Sequence, residues 1–180
     1  MMTKTQRSSF FRDPTSQRAI WIVLILYVLS IYLTLPVMRS ILNWIRQLIS
    51  HGQLGFIINL LLGLAGGGLI LIAARKNIRV VLWMIPPILL TGVWISQLDI
   101  PEERVHFLQY GLVGILTWKT RRGKTWQNVV WALVIATGIG ALDELIQWFL
   151  PNRVGDWRDV WINTAAGGLG IWSGYFLFSE

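Results

Sequence analysis

Long, uninterrupted apolar runs constrain the fold of this chain more than any other feature. Several of them approach the roughly 20 residues that an α-helix needs to cross the hydrocarbon core of a bilayer. Of the 180 residues, 54% are hydrophobic, and a soluble domain of this length rarely carries so much apolar content. Alternating ten-residue segments, which a transmembrane β-barrel requires, are not evident. The sequence therefore predicts an all-α, polytopic transmembrane helical bundle.

The runs divide the chain into a short polar arm and about six spans. Residues 1–18 form a basic arm that we expect to be loosely ordered and cytoplasmic, and residues 19–180 form a single membrane domain. Pro86 and Pro87 lie in the middle of the third span and predict a kink, because proline removes backbone hydrogen bonds. Gly63 and Gly67 in the second span form one G-x-x-x-G, a spacing that permits close helix approach. The predicted spans are 19–37, 54–74, 80–98, 101–118, 126–150 and 157–178.

The loop charges predict the orientation in the membrane. Eleven of the 16 Lys and Arg residues fall in the arm, the 2–3 loop and the 4–5 loop, which share one side if there are six spans. Cytoplasmic loops carry the excess of Lys and Arg, so both termini should be cytoplasmic. Seven of the nine acids lie at or near the opposite ends of spans four, five and six. We therefore expect a multi-pass protein of the bacterial cytoplasmic membrane with its acids near the outer leaflet.

Charge and cysteine content exclude several classes of function. The net charge of +7 comes mostly from Lys and Arg residues in the predicted cytoplasmic loops, where they orient the protein and attract anionic lipids. Membrane lipids are therefore expected partners, and nucleic acid is not. The absence of cysteine excludes disulfides, thiolate metal sites and a cysteine nucleophile. The sequence also lacks H-E-x-x-H, G-x-S-x-G and a phosphate-binding loop, and it identifies no cofactor.

Two adjacent acids near the end of the fifth span are the clearest indication of a site. Asp143 and Glu144 precede Gln147 by four and three residues, so each pair occupies neighbouring helix positions. Ionisable side chains at membrane depth are costly and usually functional. Both acids lie near the C-terminal, negative end of the helix dipole, which does not stabilise a negative charge. A proton, a cation or a hydrogen-bond donor must therefore offset the cost of burying them. The alternative is that both acids reach the headgroup zone and pair with Arg153.

The fourth and sixth spans carry polar side chains that could meet these acids. Glu102, His106 and Tyr110 are spaced by four residues, which places an acid, an imidazole and a phenol on one helix face. Asn163 lies well inside the sixth span, where an unpaired amide is costly. It should therefore bond another helix, and the small residues 165–168 would let that helix approach. The competing interpretation is that His106 is an ordinary interfacial residue and that Asn163 only holds helices together.

In their order along the chain, these motifs resemble the VanZ-like membrane protein family, which includes teicoplanin-resistance proteins. The family shows an acidic-basic pair before His-Phe and a following tyrosine. It then shows D-E-x-x-Q, a proline and an arginine, and D-x-x-D-x-x-x-N with glycines. The matching residues within 101–170 are Glu103, Arg104, His106, Phe107, Tyr110, Asp143, Glu144, Gln147, Pro151, Arg153, Asp156, Asp159, Asn163, Gly167 and Gly168.

The resemblance implies action at the cell envelope, with a link to glycopeptide antibiotic resistance, but it implies no particular reaction. The chain departs from the family at Glu102 and Glu103, where many members carry Asp and Lys. The alternative to a binding role is that Asp156 and Asp159 only cap the sixth span, as in a weak capping box.

Three functions are compatible with these residues. First, an outer pocket binds or modulates a polar headgroup, such as that of a lipid-linked glycan or a glycolipid. Second, the protein is a membrane-embedded hydrolase or transferase with His106, Glu144 and Asp143 as catalytic residues. A divalent ion joining Asp143, Glu144 and Asp159 is compatible with this function, but the pattern assigns no metal site. Third, the polar residues only lock helices together. Ligand binding would use Glu103, Arg104, Tyr110, Gln147, Arg153, Asp156, Asp159 and Asn163.

Overall fold

The chain is all-helical, as predicted. The structure is a computed structural model that describes residues 14–121, 123, 125–151, 153 and 155–178. Within these residues it contains six α-helices, one short 3₁₀ helix at Pro101–Arg104 and no strand. The α-helices are α1 (Pro14–Leu48), α2 (His51–Ala74), α3 (Ile78–Ser96), α4 (Val105–Lys119), α5 (Trp126–Phe149) and α6 (Trp157–Leu177).

Four of these helices, α1, α2, α3 and α5, are long and apolar enough to cross a membrane. The helix α4 has only 15 residues, and α6 begins with charged residues in its first turn. The membrane character of the fold is thus confirmed for four helices. The count of six spans and the cytoplasmic location of both termini remain predictions.

Polar side chains set where several helices begin. Ser50 and Gln53 form a reciprocal capping box at the start of α2, and the side chain of Asn77 accepts a bond from the Val80 amide at the start of α3. The Asp156 carboxylate accepts from the backbone amide of Arg158 at 2.9 Å, so the predicted cap of α6 is confirmed. Asp159 does not complete a capping box there. Each cap satisfies amide groups that the first helical turn leaves without partners.

The first predicted span is too short at both ends. The helix α1 starts at Pro14 and continues to Leu48, whereas the apolar run predicted only 19–37. Residues 14–18, assigned to the loose arm, are therefore helical, and residues 1–13 lie outside the described part of the chain. At the fourth span the correction is smaller, because residues 101–104 form a 3₁₀ turn before α4. The helix α3 continues through Pro86 and Pro87.

Glycines bring α4 and α6 into backbone contact. A Cβ atom built on Gly114 would overlap the carbonyl group of Gly167, and one built on Gly170 would overlap that of Gly111. The other faces of this pair pack against α5 and α1 around a core in which Val113 and Ile162 are fully buried. The pair therefore forms the centre of the bundle.

No helix among the described residues approaches α2 closely at Gly63 or Gly67, although their spacing permits it. A Cβ atom on either residue would have nothing within 4 Å. Instead, both line a mostly apolar cavity of about 620 Å³ between α2, α3, α4 and α6. A glycine spacing permits two helices to approach but does not oblige them to do so.

Contacts at the two ends of the bundle agree with helices that run alternately up and down. At one end, the Gln17 side chain donates to the carbonyl group of Thr120 at 2.7 Å. At the other end, Arg46 and Glu102 form an ion pair at 2.7 Å, close to the 3₁₀ turn. The acids of α5 lie toward this second end, since Glu144 is five residues, or about 8 Å, from the end of its helix.

Candidate functional site

A buried carboxylate and phenol form the deepest part of the candidate site. Asp143 on α5 is 2% exposed, and Tyr110 on α4 is fully buried. The Tyr110 hydroxyl donates to Oδ2 of Asp143 at 2.7 Å. The other oxygen, Oδ1, is buried and has no hydrogen-bond partner among the described residues. A buried acceptor left without a donor is unusual and costly.

Glu144, the adjacent acid, is held by groups from its own helix and from α6. Its Oε1 accepts from the Gln147 amide at 3.2 Å and, at a longer 3.5 Å, from the Asn163 amide. Its Oε2 accepts from the backbone amide of Asp156 at 3.3 Å. All of these donors are neutral, and in the described part of the chain Glu144 forms no ion pair.

His106 joins the fourth helix to the sixth. A ring nitrogen, Nδ1, lies 2.7 Å from Oδ1 of Asn163, which is fully buried. The imidazole also stacks on Tyr110, with ring centroids 6.1 Å apart and planes inclined by 11°, as expected for residues four apart on one helix face. Glu102, which the sequence places one turn before His106, instead pairs with Arg46.

Two glycines make this convergence possible. A Cβ atom on Gly140 would lie 2.7 Å from the Cβ atom of Asn163, so α6 occupies the space that this glycine leaves. A Cβ atom on Gly155 would lie 3.2 Å from the backbone nitrogen of Trp148. This contact folds the α5–α6 connection onto α5 and delivers the Asp156 amide to Glu144. Gly155 was not predicted as part of the site; its position between Arg153 and the capping Asp156 was the available signal.

The basic residues divide between the edge of the site and other parts of the fold. The Arg153 guanidinium donates to the Gln147 side chain at 3.0 Å and does not pair with either acid, contrary to the alternative considered above. Arg158 pairs with Glu103 at 3.1 Å. Burial raises the pKa of Glu103 above its ordinary value, and the Arg158 guanidinium opposes that shift.

Arg104 does not join the other predicted ligand-binding residues. It donates to the Asn59 side chain at 3.0 Å and to the Leu98 carbonyl at 2.6 Å, and so ties the 3₁₀ turn to α2 and to the end of the α3 region. Its place in the fold accounts for an arginine at this position without a ligand. Asp159 is half-buried near His106, but it makes no side-chain hydrogen bond within the described residues.

Three side chains that could bind a cation or transfer a proton lie close together. One donor atom from each of His106, Asp143 and Glu144 lies within 4.8 Å of the other two. The D-E-x-x-Q motif of α5, the histidine of α4 and the asparagine of α6 thus come together from separate parts of the chain. A model of the VanZ/LLP1 family matches residues 6–178, nearly the whole chain.

The chain belongs to the VanZ/LLP1 family. No curated protein and no solved structure is significantly similar to it. The resemblance drawn from the motifs at 101–170 is therefore confirmed and extends to the glycine-rich α2 and proline-containing α3, which the motifs alone did not cover.

The structure explains the departure of this VanZ-family chain at Glu102 and Glu103. Both carboxylates form ion pairs with arginines of other helices, Arg46 and Arg158 respectively. Neither is within the group of His106, Asp143 and Glu144. The acid-base pair before the histidine therefore holds helix ends together in this chain.

Proposed function

We propose that this VanZ-family protein is a multi-pass protein of the cytoplasmic membrane whose polar site faces the extracytoplasmic leaflet. There it binds or modulates the hydroxyl-bearing headgroup of a cell-envelope lipid, such as a glycolipid or a lipid-linked glycan. The observation that carries the proposal is the buried polar site at one end of an otherwise apolar bundle. Asp143, Glu144 and Asn163 are each at most 4% exposed and come from two different helices.

The chemistry of the site favours hydroxyl groups at its centre and an anionic group at its edge. Carboxylate oxygens accept hydrogen bonds, and Oδ1 of Asp143 lacks a donor from the described residues. Sugar hydroxyls supply such donors. Arg153 and Arg158 lie at the edge, where guanidinium groups suit a phosphate or a carboxylate. A glycan joined through phosphate to a lipid combines both features.

The apolar cavity on the other face of α4 supports a lipid rather than a soluble ligand. Its volume of about 620 Å³ lies within the range of about 300–1,000 Å³ that small-molecule sites span. Its lining is mostly aliphatic, with Arg104 and Asn59 near the end that also carries the polar site. An acyl chain suits such a lining, because apolar surface is removed from water without loss of hydrogen bonds.

Identification of co-purified lipids tests this proposal. The wild-type protein and two variants are purified in a mild detergent, and bound lipids are identified by mass spectrometry. Glu144→Gln changes an acid of the site, and the matched control Glu102→Gln changes an acid at the same end that pairs only with Arg46. We expect a glycosylated lipid to be enriched with the wild type and with the control and reduced at least tenfold with Glu144→Gln. Equal enrichment in all three, or none over bulk membrane, would refute headgroup binding.

A hydrolase or transferase is the second candidate, because His106 lies beside two carboxylates. In such an enzyme His106 is the general base and Glu144 the acid or its orienting partner. Turnover of a labelled envelope lipid that is lost in His106→Gln, while lipid binding persists, would favour this activity. If His106→Gln and Asn163→Ala instead yield no folded protein, the polar residues serve only to lock the helices.

A further inference from the structure

The geometry points to a binding site for one divalent first-row metal ion, such as Mn²⁺, formed by His106, Asp143 and Glu144. This inference goes beyond headgroup binding and does not depend on which lipid is bound. The three side chains come from α4 and α5, and one potential ligand atom of each lies within 4.8 Å of the others. Asp143 and Glu144 are 2% and 4% exposed, so an ion here would be enclosed by protein.

The hydrogen bonds of Asn163 select the tautomer of His106 that leaves one ring nitrogen free to bind a metal. The Asn163 amide nitrogen donates to Glu144, which orients its carbonyl oxygen toward Nδ1 of His106 at 2.7 Å. Because that oxygen can only accept, Nδ1 must carry the proton and donate it. In a neutral imidazole the lone pair is then on Nε2. A metal-binding histidine nearly always donates its other N–H to a fixed acceptor in this way.

Asp143 provides a second, independent indication. One of its oxygens accepts from Tyr110, while Oδ1 is buried with no partner among the described residues. Among the described residues, Glu144 accepts only from neutral amides. Two adjacent buried carboxylates with no ion-paired cation among the described residues are strongly unfavourable unless protonation or a bound cation neutralises them. A divalent ion balances two carboxylates and occupies the free oxygen, in which case a ligand hydroxyl would bind the ion rather than Oδ1 of Asp143.

The spacing and the ligand types indicate the class of ion. Three atoms spaced evenly around one ion at about 2.1 Å from it are about 3.6 Å apart, so side-chain shifts of roughly an ångström would bring all three ligands into range. One imidazole with two carboxylates combines the preferences of Zn²⁺ or Fe²⁺ with those of Mn²⁺. Three protein ligands leave positions open for water or for an oxygen of a bound ligand.

Electron paramagnetic resonance with Mn²⁺ tests the inference on the whole protein in detergent, without added envelope lipid. Bound Mn²⁺ is measured by loss of the free-ion signal, and pulsed spectra report nitrogen coupling from a coordinated imidazole. We expect one saturable site per chain with coupling to one histidine nitrogen. Asp143→Asn and His106→Gln should each weaken binding at least tenfold, and Zn²⁺ should compete. Asn163→Ala should weaken binding about tenfold through loss of histidine orientation.

The control is Glu102→Gln, which removes a carboxylate from the same end but outside the site and should leave Mn²⁺ affinity unchanged. Absence of saturable binding in the wild type, or binding without nitrogen coupling, would overturn the inference, and this result needs no variant to fold. Retention of full affinity by folded Asp143→Asn would overturn it as well. Because no lipid is added, failure here leaves the headgroup proposal standing, and failure of lipid enrichment leaves the metal result standing.

Discussion

Replacing either of two glycines of α6 by alanine should have opposite effects on stability. In Gly170→Ala, the added Cβ would overlap the Gly111 carbonyl and lie 2.9 Å from both the Gly111 carbonyl carbon and the Ile115 nitrogen. Those atoms belong to the backbone of α4 and cannot rotate away. In Gly168→Ala, only two residues earlier, the new Cβ would meet nothing within 4 Å.

The expected difference in unfolding free energy follows from a comparison of the two variants. Alanine favours a helix over glycine by up to about 1 kcal/mol, and this gain is shared because both positions lie inside α6. The added Cβ overlaps the Gly111 oxygen, and non-bonded heavy atoms pack best about 3.5–4.0 Å apart, so α4 and α6 must separate by more than about 1 Å in Gly170→Ala. Overpacking of this kind costs about 1–3 kcal/mol. Gly170→Ala should therefore be less stable than Gly168→Ala by about 1–3 kcal/mol.

Equilibrium unfolding in mixed micelles, followed by tryptophan fluorescence, measures this difference. The chain contains eleven tryptophans, and the wild type provides the reference for both variants. Gly168→Ala should unfold at the wild-type denaturant concentration or above it, and Gly170→Ala below it. If the two variants have unfolding free energies within about 0.5 kcal/mol of each other, the backbone contact between α4 and α6 does not support the fold as argued, since overpacking is expected to cost more than that.

The remaining predictions concern the buried acid, the orientation and a helix cap. Tyr110→Phe removes the 2.7 Å hydrogen bond to Oδ2 of Asp143 and should lower the unfolding free energy by about 1–3 kcal/mol; unchanged stability would show that another donor replaces it. A cysteine at Ile100 should react with an impermeant thiol reagent on intact cells, and one at Arg75 only after lysis. The reverse pattern would invert the topology; Asn152, the natural choice, lies outside the described residues. Thr125→Ala removes the cap of α5 and should cost about 1 kcal/mol in thermal or denaturant unfolding; no loss would mean that water replaces the hydroxyl.

Helix identity was predictable, because apolar runs and capping residues are local signals. Five of the six predicted spans end within a few residues of a described helix. The exception is α1, which continues to Leu48 through polar residues such as Arg39 and Arg46. Hydropathy reports where a helix can lie in hydrocarbon, whereas the helix itself ends where backbone hydrogen bonding stops. No strong helix breaker stands between Pro36 and Ser50, so the helix leaves the apolar run and continues.

The convergence of His106, Asp143, Glu144 and Asn163 was also predictable, since each polar group in an apolar helix needs a partner. The choice among partners was not. Glu102 could have bonded His106 four residues away, but it pairs with Arg46, which is 56 residues distant in the chain. Sequence spacing identifies neighbours on one helix but contains no information on the rotation of another. For the same reason, Gly63 and Gly67 could not be assigned to a cavity in advance.

The length of α4 bears on how two acids are accommodated next to it. Its 15 residues rise about 22 Å, and a typical hydrocarbon core is about 30 Å thick. The four residues of the 3₁₀ turn add about 8 Å, so α4 reaches that thickness only together with the turn. For α4 to cross the membrane, the ion-paired Glu102 and Glu103 must therefore lie at the polar boundary, at the same end of the bundle as Asp143 and Glu144.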